Sequence, residues 1–80
     1  MKTFTYNTHF YGESEFQATI EAPEDSEFLL IVHAENGDKI VKPYSYRNAA
    51  NRGLDYYLRK YDKKNLGASG NYYKLSEVAA

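Results

Sequence analysis

The centre of the sequence reads Phe28-Leu29-Leu30-Ile31-Val32, an apolar run without polar alternation. Such a run is typical of a β-strand that is covered on both faces. Shortly after it, Asn36-Gly37 is the strongest hairpin signal in the chain, because both central residues of a type I′ turn need positive φ. A second strand should therefore return antiparallel to the first and end at Pro43, which has no N–H to donate to a sheet.

Two upstream stretches alternate apolar and polar residues, with the period of two that indicates a strand covered on one face. They occupy residues 2–10 and 15–22, and the turn around Gly12 separates them. We expect these strands to form a hairpin that continues into the central strand at residues 27–35 and its partner at residues 38–43.

Beyond the second hairpin the apolar spacing becomes helical. The apolar stripe consists of Ala50, Leu54, Tyr57, Leu58 and Tyr61. Its spacing predicts a helix over residues 46–63. Ser45 or Asn48 would cap the start of this helix, and Asn65 or Gly67 would end it.

Gly53 lies inside the predicted helix, where Gly costs about 1 kcal/mol relative to Ala. It indicates either a close approach of the helix to the sheet or a regular helix that starts near Asn51. Residues 71–77 could add a further edge strand. The predicted fold is thus one α+β domain over residues 1–80, an antiparallel four-stranded meander, or a five-stranded one if 71–77 pairs, with one helix on one face.

Composition excludes several functional classes. The chain has 80 residues and no cysteine, so neither disulfides nor cysteine metal sites are expected. No apolar run approaches the length that spans a bilayer, so we expect a soluble, cytoplasmic protein of a bacterium or a phage-infected cell that does not bind membranes. It carries no phosphate-binding glycine loop and no hydrolase or zinc-protease motif. We therefore predict no enzyme activity, no catalytic residue and no cofactor.

The two histidines could contribute to a weak metal site. His9 and His33 both fall on odd strand positions, near Glu15 or Glu21 in the predicted register. Lone histidines on a strand are more often ordinary surface residues, and we favour that interpretation and predict no metal.

Charge is divided unevenly along the chain. Residues 1–38 hold one basic and eight acidic side chains, a net charge of −7, whereas residues 39–80 hold nine basic and three acidic ones, a net charge of +6. The acidic half predicts a surface for a basic protein partner on the first hairpin and its neighbouring turns. Its residues are Glu13, Glu15, Glu21, Glu24, Asp25 and Glu27. Alternatively, these charges keep a strand face solvated and prevent aggregation.

The basic half predicts a nucleic-acid surface on the helix, in which cations neutralise phosphates and tyrosines stack on bases. Its cations are Arg47, Arg52, Arg59, Lys60, Lys63 and Lys64, and its tyrosines are Tyr44, Tyr46, Tyr56 and Tyr72. The simpler alternative is a solvated amphipathic helix with a cationic C-terminus.

A third candidate surface is apolar. If the even residues of the central strand face the helix, then Leu29, Ile31 and His33 point to the other face of the sheet. A single helix leaves that face open for a protein partner or a second copy of the chain. Alternatively, the C-terminal segment folds back and covers it.

In size, absence of active-site motifs, strand-rich start and acidic face, the chain resembles small phage-encoded inhibitors of bacterial defence systems, including anti-CRISPR proteins. No motif aligns with a named family, so no functional residue is carried over. The resemblance implies a non-enzymatic module that binds another protein and inhibits or modulates a larger nucleic-acid-handling complex. Direct DNA or RNA binding by the basic, tyrosine-rich helix is the alternative.

Overall fold

The computed structural model describes residues 1–8 and 16–78 of the chain. Two antiparallel sheets and a long helix make up the described part, which confirms the predicted α+β class and the approximate order of elements. The elements are β1 (Lys2–Thr8), β2 (Phe16–Ala22), β3 (Phe28–Ala34), β4 (Lys39–Tyr44), α1 (Arg47–Asp62), β5 (Ala68–Lys74) and α2 (Leu75–Val78).

The strands form two sheets rather than one meander. β1 pairs with β2, while the second sheet has the order β4-β3-β5. Phe28 at the start of β3 lies between Tyr44 of β4 and Lys74 of β5. The further strand predicted at residues 71–77 is present as β5, but it covers residues 68–74, and residues 75–77 belong to α2 instead. It takes the place beside β3 that the meander gave to β2.

The β3–β4 turn is a hairpin, although not of the predicted type I′. The Gly37 N–H donates to the Ala34 carbonyl at 3.0 Å, and the Ala34 N–H donates to the Asp38 carbonyl at 2.9 Å. Gly37 has a φ of 93°, whereas Asn36 stays at negative φ. This is the three-residue loop with a bulged glycine. The Asn36 side chain stabilises it by accepting the Asp38 N–H at 3.0 Å.

Pro43 does not end its strand, because β4 continues to Tyr44. Pro43 lies opposite Leu29. Since Ala34 and Asp38 form a hydrogen-bonded pair, the pairs at odd positions of β3 do not exchange hydrogen bonds. The missing N–H of Pro43 therefore belongs to the free edge of the sheet, where proline is tolerated.

The prediction that Ser45 or Asn48 caps the start of α1 is wrong. Tyr46 is the N-cap residue and makes no capping hydrogen bond through its side chain, so neither Ser45 nor Asn48 caps the helix. The extended backbone of Tyr46 follows directly from β4, which leaves Ser45 outside the cap position.

The prediction that Asn65 ends the helix is confirmed. Asn65 adopts the left-handed conformation, with φ of 57°. The Leu66 N–H reaches back to the Tyr61 carbonyl at 3.0 Å, and the Asn65 N–H to the Asp62 carbonyl at 2.9 Å. These two bonds form a Schellman motif.

Both faces of the three-stranded sheet are covered. On one face, Leu30 and Val32 pack against α1. On the other face, Leu29 and Ile31 pack with Leu75 of α2 and Ile20 of β2. Residues of α2 and β2 thus cover the face of the sheet that lies opposite α1.

The expectation that Leu29, Ile31 and His33 form an open apolar surface is wrong, because this second face of the sheet is covered. Leu29 and Ile31 are fully buried, at 0% exposure, while His33 is half-buried near the end of β3. A central strand that is apolar at consecutive positions gains stability only when both its faces are covered. The chain covers this face itself, partly through Leu75, as the fold-back alternative predicted.

Gly53 marks the close approach of α1 to the sheet. A Cβ at this position would lie 2.8 Å from Cζ of Tyr44 and 3.2 Å from Cδ2 of Leu30. Both distances are shorter than normal van der Waals contacts. The first of the two interpretations of this glycine is therefore confirmed, and α1 begins at Arg47 rather than near Asn51.

Candidate functional site

One face of α1 points away from the sheet and carries a row of cations, which we call the basic stripe. It follows from the helical period, because residues at spacings of three, four, seven and eight share a face. Its members are Arg52, Asp55, Tyr56, Arg59, Lys60 and Lys63, and these side chains line one shallow groove. All six residues are exposed. The stripe is about 16 Å long from Arg52 to Lys63, at a rise of about 1.5 Å per residue.

Among the described residues, only one acidic side chain, Asp55, pairs with a cation of the basic stripe. Arg59 pairs with Asp55 at 3.1 Å, with both side chains well exposed. Such a surface pair contributes only about 0.3–0.5 kcal/mol. Among the residues that the structure describes, no acid lies within ion-pairing distance of Arg52, Lys60 or Lys63. These three cations are available to a polyanion.

The basic stripe also presents one aromatic ring. Tyr56 is 60% exposed, and its ring meets that of Tyr57 in a T-shaped contact with centroids 5.0 Å apart. Tyr46 is also exposed, but it lies at the start of the helix, away from the stripe. Tyr44 and Tyr72 are partly buried against the core on the α1 face of the sheet. Of the four tyrosines predicted to stack on bases, only Tyr56 thus lies among the unpaired cations.

Lys42 is a neighbour of this surface that the sequence analysis missed. Its ammonium lies 5.6 Å from the centre of the Tyr57 ring. A hydrogen bond with the Tyr57 side chain raises the pKa of Lys42, so the group stays cationic beside the tyrosine pair. The parity of β4 could have revealed it, because Lys42 shares the α1-facing side of this strand with Ile40 and Tyr44.

Two of the predicted cations lie elsewhere. Arg47 is in the first turn of α1, with its guanidinium 5.6 Å from the centre of the Phe28 ring. Lys64 follows the helix, in the turn that leads to Asn65. The helical period places Arg47 on a different side of α1 from Tyr56, so it does not extend the basic stripe.

Four of the described acidic residues lie in and beside the β2–β3 connection. Glu21, Glu24, Asp25 and Glu27 are all exposed. Glu24 is 3.5 Å from the N-terminal ammonium of Met1. We call these four residues the acidic turn. Glu13 and Glu15, the other members of the predicted acidic surface, lie outside the described residues.

The acidic turn is held in a fixed place by backbone contacts. The Ser26 N–H donates to the Pro23 carbonyl at 3.0 Å, and the ammonium of Lys2 donates to the Ser26 carbonyl at 3.0 Å. Glu27 links the sheet strands, because its N–H donates to Tyr44 and its carbonyl accepts the Leu75 N–H.

The considered metal site gains no support from the described residues. His9 and Glu15 lie outside them. Within residues 1–8 and 16–78, no group of three or more histidine, aspartate or glutamate side chains could hold a metal ion. Across the same part of the chain, no helix is both long and apolar enough to cross a membrane.

Comparison with known proteins returned no match. No protein-family model, no curated protein and no solved structure is significantly similar to this chain.

Proposed function

We propose that the chain is a small, non-enzymatic nucleic-acid-binding module that uses the basic stripe of α1. The observation that carries this proposal is the set of Arg52, Lys60 and Lys63, three exposed cations without an acidic partner in the described part of the chain, around the exposed ring of Tyr56. Cations placed in this way release counterions when they neutralise phosphates. Lys42 adds a further positive charge beside the same tyrosines.

This ranking differs from the expectation that a protein-binding surface comes first. Of the two surfaces that supported protein binding, the apolar one is buried and the acidic one is described only at Glu21, Glu24, Asp25 and Glu27. The basic stripe is described over its full length and is exposed throughout.

The test is the salt dependence of binding to fluorescein-labelled DNA and RNA oligonucleotides, measured by fluorescence anisotropy between 50 and 200 mM salt. If about three phosphates are neutralised, the logarithm of the association constant should fall with the logarithm of salt with a slope of about −2 to −3. The double variant Lys60→Gln/Lys63→Gln should lower the size of this slope by about 1.4–1.8.

The matched control is Arg47→Gln/Lys74→Gln, which removes the same charge from exposed positions off the basic stripe. It should retain most of the affinity. Equal losses in the two double variants, or no binding at low salt, would contradict the proposal.

A second candidate function rests on the acidic turn. Its four exposed carboxylates fit a basic surface on a protein partner. Under this proposal the chain inhibits or modulates a nucleic-acid-handling complex in the cytoplasm, as phage anti-defence proteins such as anti-CRISPR proteins do.

A pull-down from a bacterial lysate separates the two candidates. A protein that is retained after nuclease treatment by the wild-type chain, but lost with Glu24→Gln/Asp25→Asn, supports the acidic turn. The control variant Asp62→Asn/Glu77→Gln, altered at exposed acids elsewhere, should retain that protein. Recovery of nucleic acid, with all captured protein lost on digestion, supports the basic stripe instead.

A further inference from the structure

We infer that the ligand of the basic stripe is a single-stranded nucleic acid, with a base stacked on Tyr56. This inference rests on the proposed function and specifies its ligand. Its first support is the exposure of Tyr56. The rings of Tyr44, Tyr57 and Tyr61 pack against the core of the α1 face, whereas Tyr56 leaves 60% of its surface in water. Its T-shaped contact with Tyr57 orients the ring without covering it.

The second support is the arrangement of charges around the ring. Arg52 lies one helical turn before Tyr56 and Lys60 one turn after it, each displaced by about 6 Å along the axis. A strand that places one base on Tyr56 can therefore bring backbone phosphates towards cations on both sides. Aromatic rings between basic side chains are the usual surface for single strands, because every base has a face to stack.

The third support is that a duplex cannot use the ring. In a double helix the base faces are already stacked on one another, and a protein helix meets only base edges and phosphates. A duplex would therefore leave the ring of Tyr56 exposed, with no base to stack on it. In single strands the base faces are accessible to aromatic side chains.

The length of the basic stripe fits a short segment of a single strand. The whole chain has a net charge of −1, and the acidic turn repels a long polyanion. A stripe of about 16 Å matches about five nucleotides at 3.4 Å each.

The test uses the absence of tryptophan from the chain. The variant Tyr56→Trp places a single tryptophan on the basic stripe, and this tryptophan can be excited selectively over the tyrosines. Titration with a twelve-nucleotide oligo(dT) should quench its fluorescence, because the stacked base contacts the indole. Inorganic polyphosphate should compete with the oligonucleotide but leave the fluorescence unquenched, since it has no bases. The control Tyr46→Trp, at a position 74% exposed and off the stripe, should show no quenching.

Affinity provides the second readout. Tyr56→Ala should weaken binding of the single strand by about 5- to 150-fold with little change in salt slope, whereas Tyr56→Phe should bind like the wild type. A twelve-base-pair duplex should bind more weakly than the single strand at the same salt. Equal affinity for the duplex, or wild-type affinity of Tyr56→Ala, would overturn the inference and leave salt-dependent binding by the stripe intact. Failure to bind any of the oligonucleotides would overturn the proposed function as well.

Discussion

Tyr61 shows how a single residue can connect the end of α1 to the β3–β4 turn. Its side chain is buried at 6% exposure, and its hydroxyl donates to Oδ2 of Asp38 at 3.2 Å. Asp38 in turn accepts a hydrogen bond from the side-chain amide of Asn36. Burial first, and then the hydrogen bond to the Asp38 carboxylate, raises the pKa of Tyr61 above its usual value of about 10.

This pKa shift predicts a loss of stability in alkali. The folded state holds the Tyr61 proton more tightly than the unfolded state, so the stabilisation is complete below pH 10 and is lost as pH rises through the folded pKa. We expect Tyr61→Phe to be less stable than the wild type at pH 7, because the bond to Asp38 is absent, and the difference to shrink above pH 10. Urea denaturation at pH 7, 9 and 11, followed by circular dichroism, measures both effects. A constant difference across this range would contradict the prediction.

At the scale of elements, the contact between α1 and the sheet depends on Gly53. Tyr44 and Leu30 occupy the space that a side chain at this position would need. Helix propensity and packing therefore oppose each other at one residue. A methyl group would favour the helical backbone by about 1 kcal/mol, but it would overfill a packed contact, at a typical cost of about 1–3 kcal/mol.

We expect packing to prevail, so that Gly53→Ala lowers the free energy of unfolding by about 1 kcal/mol. The control is Asn51→Ala on the exposed side of the same helix, where propensity acts alone and a small gain is expected. Thermal and urea unfolding of the two variants measures the difference. If Gly53→Ala proved as stable as Asn51→Ala, the close approach of α1 to the sheet would be refuted.

The free edges of the three-stranded sheet are protected differently. β4 ends with Pro43 and Tyr44 and carries exposed lysines, which discourage pairing with another chain. On β5, the Tyr72 N–H points to the free edge and donates to the side chain of Asn71 at 2.9 Å. Pro43 on β4 and the Asn71 side chain on β5 thus each remove one backbone donor from an edge that another strand could use.

Local patterns in the sequence predicted α1 and the approximate positions of the strands, but they predicted neither α2 nor the strand pairing. The helix and the β3–β4 hairpin follow from the apolar period and Asn36-Gly37. The pairing of β3 with β5 did not, because Gly70 weakens the strand signal of residues 68–74 and no short-range rule selects a distant partner over β2.

In the candidate site too, the sequence predicts which residues share a helix face but not which side chains the tertiary packing leaves exposed. The common face of Arg52, Tyr56 and Lys60 follows from helical spacing alone. That Tyr56 is exposed while Tyr57 packs on the core depends on where α1 rests on the sheet. The proximity of Lys42 to the tyrosines has the same origin.

For the molecule as a whole, stability depends on closing both faces of the sheet around β3. Leu29 and Ile31 are covered partly by Leu75, which follows β5 directly. The short α2 therefore stabilises the second face of the sheet by burying Leu75 against it, although the helix has only four residues. Its loss would expose apolar surface across from α1, where no charged side chain of the basic stripe is involved.

Leu75→Ala should therefore lower the free energy of unfolding by about 2–3 kcal/mol, the lower part of the range for buried leucine. Ser76→Ala, at the exposed neighbouring position, should change it by less than about 0.5 kcal/mol. Urea denaturation measures both. Equal stability of the two variants would show that the second face does not depend on α2. Oligonucleotide binding by folded Leu75→Ala should remain unchanged, because the basic stripe lies on the opposite side.

The pairing of β3 with β5 affects how the chain emerges from the ribosome. The sheet cannot be completed until Lys74 has been added, forty residues after Ala34. At about 5–20 residues per second this takes about 2–8 s. During that time β3 has only β4 beside it, and a lone hairpin is marginally stable in water. The nascent chain therefore presents its most apolar strand to chaperones and neighbouring chains for seconds before its own later segment can cover it.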